Sequence, residues 1–417
     1  MKFFLGKWRF NFLLVAVYLF LIIRYNTNMI IGINASFLRK QNTGIGQVTT
    51  NFLKKLVEIQ NPKSKISNYG EMEFILYLEE DVDLILPENF TKKIFLPTYK
   101  RDDLIRKIWW EKFSLPNMAK KDCCDVFLSL YQSPTVMPTK IKHIMLAHDI
   151  IPKLFPEYLN NFRKKIYQSL IESALDKADK IIAVSHRTEK DLINHLGISS
   201  SKITVLHVDV DEIYKKEINA DENAKVLKKY NLKPGYIYNG GGLDARKNVE
   251  NLLRAYKQML DQYGYTDKIP KLVISGKLMP ELAPLVCDVT EVVKGLELEN
   301  SVQILGYIPQ QDLPALYKNA MMFVYPSLYE GFGLPVLEAM NQGTPVVTSK
   351  TSSLPEVGSD SVLYCNPSKI DDIAMVMRNV IIHDHLQASL SFKGKERASH
   401  FSWDKFTNKM LNIITSI

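Results

Sequence analysis

From Met29 onward the chain repeats one rhythm: a short β-branched run, a loop containing glycine or a polar residue, then apolar residues at helical spacing. Such βαβ alternation predicts parallel sheets covered by helices. The first unit reads as a strand over 30–34, a loop punctuated by Gly44 and Gly46, and a helix over 47–59 with Val48, Phe52, Leu56 and Ile59 on one face. Further strands are predicted over 74–78, 126–130, 143–147, 181–184 and 203–206. The polar, acidic stretch 209–235 breaks the rhythm and reads as a connection carrying a solvated helix. A second set of strands follows, near 236–238, 272–275, 302–305, 322–325 and 345–348. The last stretch, 385–417, is helical in pattern, and its Trp403 and Phe406 suit it to pack back on the first unit.

This pattern predicts an α/β fold of two Rossmann-like, doubly wound domains facing across a cleft. Its parts are an apolar extension (1–28), an N-terminal domain (29–208), a C-terminal domain (209–395) and a final helix (396–417) that crosses back. Loops at the carboxyl ends of the strands make the cleft the natural place for a nucleotide.

Composition narrows the class. The 417 residues are 46% hydrophobic and 24% charged, which excludes collagen-like, disordered and disulfide-scaffold chains. Cys123, Cys124, Cys287 and Cys365 form no CxxC pair, so neither a zinc site nor an oxidised framework is signalled, and a reducing compartment fits. Half of the net charge of +8 sits in the first 28 residues, on Lys2, Lys7, Arg9 and Arg24 with no acid among them. The remainder is too diffuse for a nucleic-acid partner, which needs a concentrated basic face.

The extension holds a 14-residue apolar run, FNFLLVAVYLFLII. As a helix it would reach about 21 Å against a hydrocarbon core of about 30 Å. Two readings stay open: an uncleaved single-pass anchor whose basic residues snorkel, and a reading frame that starts at Met29.

Four segments carry chemistry. In YEGFGLPVLEAMNQGTPVV (329–347), Glu330 lies in a loop, Pro335 opens a helix and Glu338 falls one turn inside it. The free backbone N–H groups around Phe332, Gly333 and Leu334 would then form an anion site, helped by the helix dipole. In YNGGGLDARKNVENLL (238–253), Gly240, Gly241 and Gly242 allow close backbone approach, Arg246 and Lys247 supply cations for phosphate oxygens, and Asn248 is expected to cap the next helix. KIKHIMLAHDIIPKLFPEYL (140–159) ends a strand at His148, where a neutral imidazole can bond a sugar or phosphate. TGIG (43–46) opens a helix toward the same cleft.

Together these segments resemble glycosyltransferase family 4, the glycosyl transferases group 1, of GT-B fold, from about Met29 to Pro367. The combination of TGIG, AHDIIP with FPEY, and AVSHRTEKDL (183–192) looks most like bacterial mannosyltransferases of O-antigen and related polysaccharides. The resemblance implies transfer of a hexose, with mannose favoured, from a nucleotide sugar to a lipid-linked glycan, with retention of configuration. It gives Arg246 and Lys247 the donor diphosphate, Glu338 the ribose, and Glu330 with Phe332, Gly333 and Leu334 the sugar and phosphate. His148 stands near the transferred sugar, and Gly44 to Gly46 form a first-domain phosphate loop. GDP-mannose is favoured over a UDP-sugar, with no metal or other cofactor. Where many members have one glycine pair, this chain reads NGGG.

Asp81 with Asp83 and Asp209 with Asp211 resemble metal-binding acid pairs but sit in a charged turn and at the start of the connection. His383-Asp384-His385 reads as a solvated turn. Segment 91–121 interleaves Lys and Arg with Phe95, Tyr99, Trp109, Trp110 and Phe113, a composition suited to an anionic membrane surface or to a core edge with a solvated face. A location at the cytoplasmic face of the inner membrane follows from the first alternative. A sugar-nucleotide epimerase of the same two-lobed fold and a non-catalytic scaffold of a polysaccharide complex are the competing functions.

Overall fold

The computed structural model describes residues 28–60, 72–95, 103–263 and 269–417. Nearly all of the apolar extension therefore lies outside the described residues, as does the middle of the basic-aromatic segment. Among the described residues, no helix is long and apolar enough to cross a membrane.

A seven-stranded sheet holds β1 (Met29–Asn34), β2 (Met72–Leu78), β3 (Phe90–Ile94), β4 (Val126–Ser129), β5 (Lys142–Ala147), β6 (Lys180–Ala183) and β7 (Ile203–Val205), in the order β3-β2-β1-β4-β5-β6-β7. A six-stranded sheet holds β8 (Tyr236–Asn239), β9 (Leu272–Ser275), β10 (Val302–Gly306), β11 (Ala320–Tyr325), β12 (Val346–Ser349) and β13 (Leu363–Cys365), in the order β10-β9-β8-β11-β12-β13. Every pairing is parallel, with β1 in register with β4 through Ile33–Leu128 and β8 with β11 through Tyr238–Phe323. Two doubly wound units were expected, and two are present. Strands buried on both faces read as continuous apolar runs, which is why Val126–Ser129 and Leu272–Ser275 are fully buried.

The edges depart from expectation. β3 carries Thr91, Lys92 and Lys93, and charged residues are tolerated there because an edge strand is half solvated. β13 has only three residues. Helix α1 (Gly44–Ile59) begins three residues earlier than predicted, so Gly44 and Gly46 lie in its first turn and not in a loop. Thr43 caps it, Oγ1 accepting the Gly46 amide at 3.1 Å. Asn248, expected as a cap, has φ 62° and its Nδ2 instead donates to the carbonyls of Pro326 and Pro367, fastening two loops beneath α2 (Val249–Tyr263). The solvated helix in the connection spans Ala220–Lys229 and buries no residue.

One apolar core runs through both lobes by way of Val208, Val210 and Tyr214. The expected single terminal helix is two, broken near His400 to Ser402. Asp384–Ala398 packs in the C-terminal lobe, and Trp403–Ser416 crosses to α1. Phe406 meets Phe52 of α1 edge-on at 5.7 Å, and Trp403 Nε1 donates to the Val210 carbonyl at 2.9 Å. Because Phe406 is 2% exposed, Phe406→Ala is expected to cost about 3–5 kcal/mol. Urea unfolding followed by far-UV circular dichroism checks this; an unchanged midpoint would detach the crossing helix from the stability of the first lobe.

Candidate functional site

In both sheets the strand order reverses beside the first strand, between β1 and β4 and between β8 and β11. Chains leaving these switch points diverge and open a crevice at the carboxyl edge, where ligands bind in open α/β sheets. Here two such crevices face each other and enclose a cavity of about 760 Å³. The loop after β8 brings Gly241, Arg246 and Lys247 to it, and the loop after β11 brings Glu330 and Phe332. Phe37, Gly44, His148 and Asp149 line it from the N-terminal lobe.

Oε1 of Glu330 is the electrostatic centre. Arg246 Nη1 lies 3.1 Å away and Lys247 Nζ 2.7 Å, while the hydroxyls of Tyr325 and Ser327 donate to the same oxygen at 2.9 and 2.6 Å. Burial disfavours this carboxylate, but Lys247 and Arg246 outweigh it and hold the pKa at about 2. Lys247 moves the other way: burial lowers its pKa despite Glu330. Arg246 stays charged, with Nη1 also donating to the Tyr329 carbonyl at 3.1 Å. Each charge-assisted bond of this kind contributes about 1.5–3 kcal/mol.

Beside this cluster starts helix α3 (Leu334–Asn341), with Pro335 in its first turn. Its cap, Gly333, has φ 114°, and a Cβ there would come within 2.8 Å of Leu354. Glycine is required on both counts. The amide end and its dipole thus open on the cavity. Glu338, one turn in, accepts the Tyr317 hydroxyl at 2.8 Å, and burial pushes its pKa up to about 7.

Across the cavity, His148 Nε2 donates to the Leu130 carbonyl at 2.9 Å. Burial lowers its pKa. A neutral ring with Nε2 protonated leaves Nδ1 as an acceptor, suited to a sugar hydroxyl and not to a phosphate oxygen. Gly331 packs directly on this wall: a Cβ would stand 2.0 Å from the His148 carbonyl oxygen. Gly44 lines the cavity, whereas Gly46 faces the backbone of Lys40, where a Cβ would meet the carbonyl oxygen at 1.9 Å. Gly46 therefore serves close packing and, unlike Gly44, does not line the cavity.

Gly242, Gly333, Leu334 and Glu338 also line the cavity, whereas Gly240 does not. Tyr325, Ser327, Tyr317 and Asp149 had not been expected. Tyr325 was read only as the end of a strand, yet an aromatic hydroxyl at a strand's carboxyl end was the available signal. Ser352 and Ser353, whose hydroxyls donate to the Glu330 carbonyl, come from sequence more than twenty residues away. Three of the four acids in these pairs form ion pairs: Asp81 with Lys92, Asp209 with Lys215, and Asp211 with Lys54. In the basic-aromatic segment Trp110 is buried and stacks on Phe95 at 4.8 Å, whereas Trp109 is 60% exposed.

Comparison with known proteins adds an independent line. A family model described as glycosyl transferases group 1 matches residues 220–397, and one described as glycosyltransferase family 4 matches 78–212. The chain is 30% identical over 365 residues to O-antigen chain mannosyltransferase B of Escherichia coli, covering 87% of each. It is 24% identical over 360 residues to O-antigen chain mannosyltransferase RfbU of Salmonella typhimurium, covering 84% of this chain and 90% of that one. Among solved structures, WaaG, a glycosyltransferase involved in lipopolysaccharide biosynthesis, superposes with a TM-score of 0.70 at 15% identity, over 93% of this chain and all of that one. Anabaena Alr3699/HepE in complex with UDP-glucose gives 0.68 at 16% identity, over 94% of this chain and all of that one.

Glu330 is the carboxylate that both buried cations pair with, so removing it strands them. Glu330→Met is expected to lower stability by roughly 3–5 kcal/mol. Equilibrium urea unfolding at neutral pH measures it, and a loss below about 1 kcal/mol would mean that Arg246 and Lys247 are solvated in solution.

Proposed function

Because the chain belongs to the group 1 glycosyltransferases of family 4, we propose that it transfers mannose, with retention, from GDP-mannose to a lipid-linked glycan. The observation that carries this reading is the junction of Arg246, Lys247, Glu330 and the amide end of α3 at one point of an inter-lobe cavity. Two O-antigen mannosyltransferase relatives support the sugar and the kind of acceptor. Exposed Ile105, Trp109 and Phe113 near Lys112 support presentation of that acceptor at an anionic cytoplasmic membrane surface.

The chemistry follows from the charges. Breaking the bond between the anomeric carbon and the phosphate oxygen leaves negative charge on the diphosphate and oxocarbenium character on the sugar. Arg246, Lys247 and the α3 amides meet that charge as it forms, fixed in place beforehand by Glu330, so little reorganisation accompanies the step. Glu330 stays ionised at any physiological pH and also orients sugar hydroxyls. His148 Nδ1 accepts a hydroxyl of the transferred sugar. The acceptor oxygen attacks from the face the phosphate leaves, and its proton passes to the departing phosphate oxygen. Glu338 binds the ribose.

A thermal-shift screen of GDP-mannose, GDP, UDP-glucose and UDP tests the donor, since a ligand bound by the native state raises its melting temperature by mass action. GDP compounds are expected to give the larger shift. Arg246→Ala should keep the fold and lose about 10²-fold or more in turnover; an undiminished rate removes the residue from the reaction.

Glu338 supplies a pH signature. Its folded pKa of about 7 lies above the ordinary 4.5, so the native state holds an extra proton between these values and stability falls as pH rises across that window. A ribose hydroxyl donates to the ionised form. GDP affinity is therefore expected to rise severalfold from pH 6 to pH 8 and to flatten in Glu338→Gln; calorimetric titration across that range decides.

A further inference from the structure

The segment AVSHRTEKDL has no part in the chemistry above, yet it grips the loop that carries Glu330. It forms the end of β6 and the start of helix α4 (His186–Leu196). Ser185 Oγ donates to the Gly331 carbonyl at 2.7 Å, and Tyr329 donates to Asp191 at 2.7 Å while lying under the Arg187 guanidinium. The first amides of α4, those of His186 and Arg187, have no partner within their own helix. They donate to Oε2 and Oε1 of Glu356 at 2.8 and 2.7 Å. Glu356 belongs to the other lobe, in the short helix Leu354–Gly358.

A carboxylate taking both leading amides of a helix is a bidentate cap, favoured by charge and dipole together. What distinguishes this cap is where its residue is rooted. Three residues upstream, Ser353 Oγ lies 2.9 Å from the Glu330 carbonyl and 2.7 Å from that of Phe332, and Ser352 Oγ accepts the Glu330 amide at 3.0 Å. Downstream, Arg397 donates to the carbonyls of Glu356 and Val357. His207 Nε2 stands 3.4 Å from Oε2. Burial disfavours the charge, but His207 and the two amides keep the carboxyl below its usual range.

We propose that Glu356 is a positioning residue for transfer: capping α4 across the cleft, it couples approach of the His148 wall to the loop that holds Glu330, so that nucleotide occupancy and closure of the lobes reinforce each other. This rests on the reading of the cavity as a nucleoside diphosphate site. Coupling is reciprocal, so whatever factor nucleotide adds to closure, the cap must add to nucleotide affinity.

The test uses the full chain, GDP and UDP as probes, and hydrogen exchange at the amides of His186 and Arg187. In the unaltered protein, saturating nucleotide is expected to slow their exchange by about 5- to 10-fold. Glu356→Ala should abolish that response and weaken nucleotide binding by the same factor, and Glu356→Gln, which keeps one acceptor oxygen, should fall between. If Glu356→Ala fails to fold, the Gln variant carries the comparison. Bound nucleotide with unaltered exchange, or unaltered affinity in the variants, overturns the proposal and leaves Glu356 a static cap. Failure of every nucleotide to bind the unaltered protein instead defeats the donor reading itself, and the coupling with it.

Discussion

One buried carboxylate oxygen organises this molecule. Oε1 of Glu330 is shared by a guanidinium, an ammonium and two hydroxyls, and its charge offsets the burial of both cations. The arrangement explains why Arg246 and Lys247 are adjacent at the end of a loop after β8, why Tyr325 ends β11, and why Ser327 follows it. Satisfied in this way, the cations are held rigid before any substrate arrives. An electrostatic catalyst gains from that, since groups fixed in advance need not reorient when charge develops.

The cluster lies wholly in the C-terminal lobe, and the cavity it faces is closed by holding the two lobes face to face. The core is continuous through Val208, Val210 and Tyr214, and the crossing helix lays Trp403 and Phe406 on the first lobe. Polar contacts then set the finer alignment, with Ser185, Asp191 and Glu356 each bridging the lobes. Apolar burial is non-directional and supplies most of the driving force, while the hydrogen bonds supply direction.

Much of this was legible in the chain. Strands buried on both faces announce themselves as β-branched runs, and Pro335 after Gly333 marks a helix start unambiguously, so the two sheets and the amide end of α3 were readable. Edge strands were not: FTKKI pairs on one side only, and half of its pattern answers to water. At Gly46 a glycine needed for backbone proximity looks the same in sequence as one needed for a ligand. Asn248 misled because amide side chains donate as well as accept. The contacts of Ser352, Ser353 and Glu356 join segments far apart in the chain, and no local pattern encodes such meetings.

Gly331 touches the carbonyl of His148 with nothing between them but hydrogen. At that point the halves of the protein therefore meet as bare main chain, identical in shape whatever letters surround it. The gap there is fixed by peptide geometry, and the walls on either side remain at liberty to vary their side chains without disturbing that gauge.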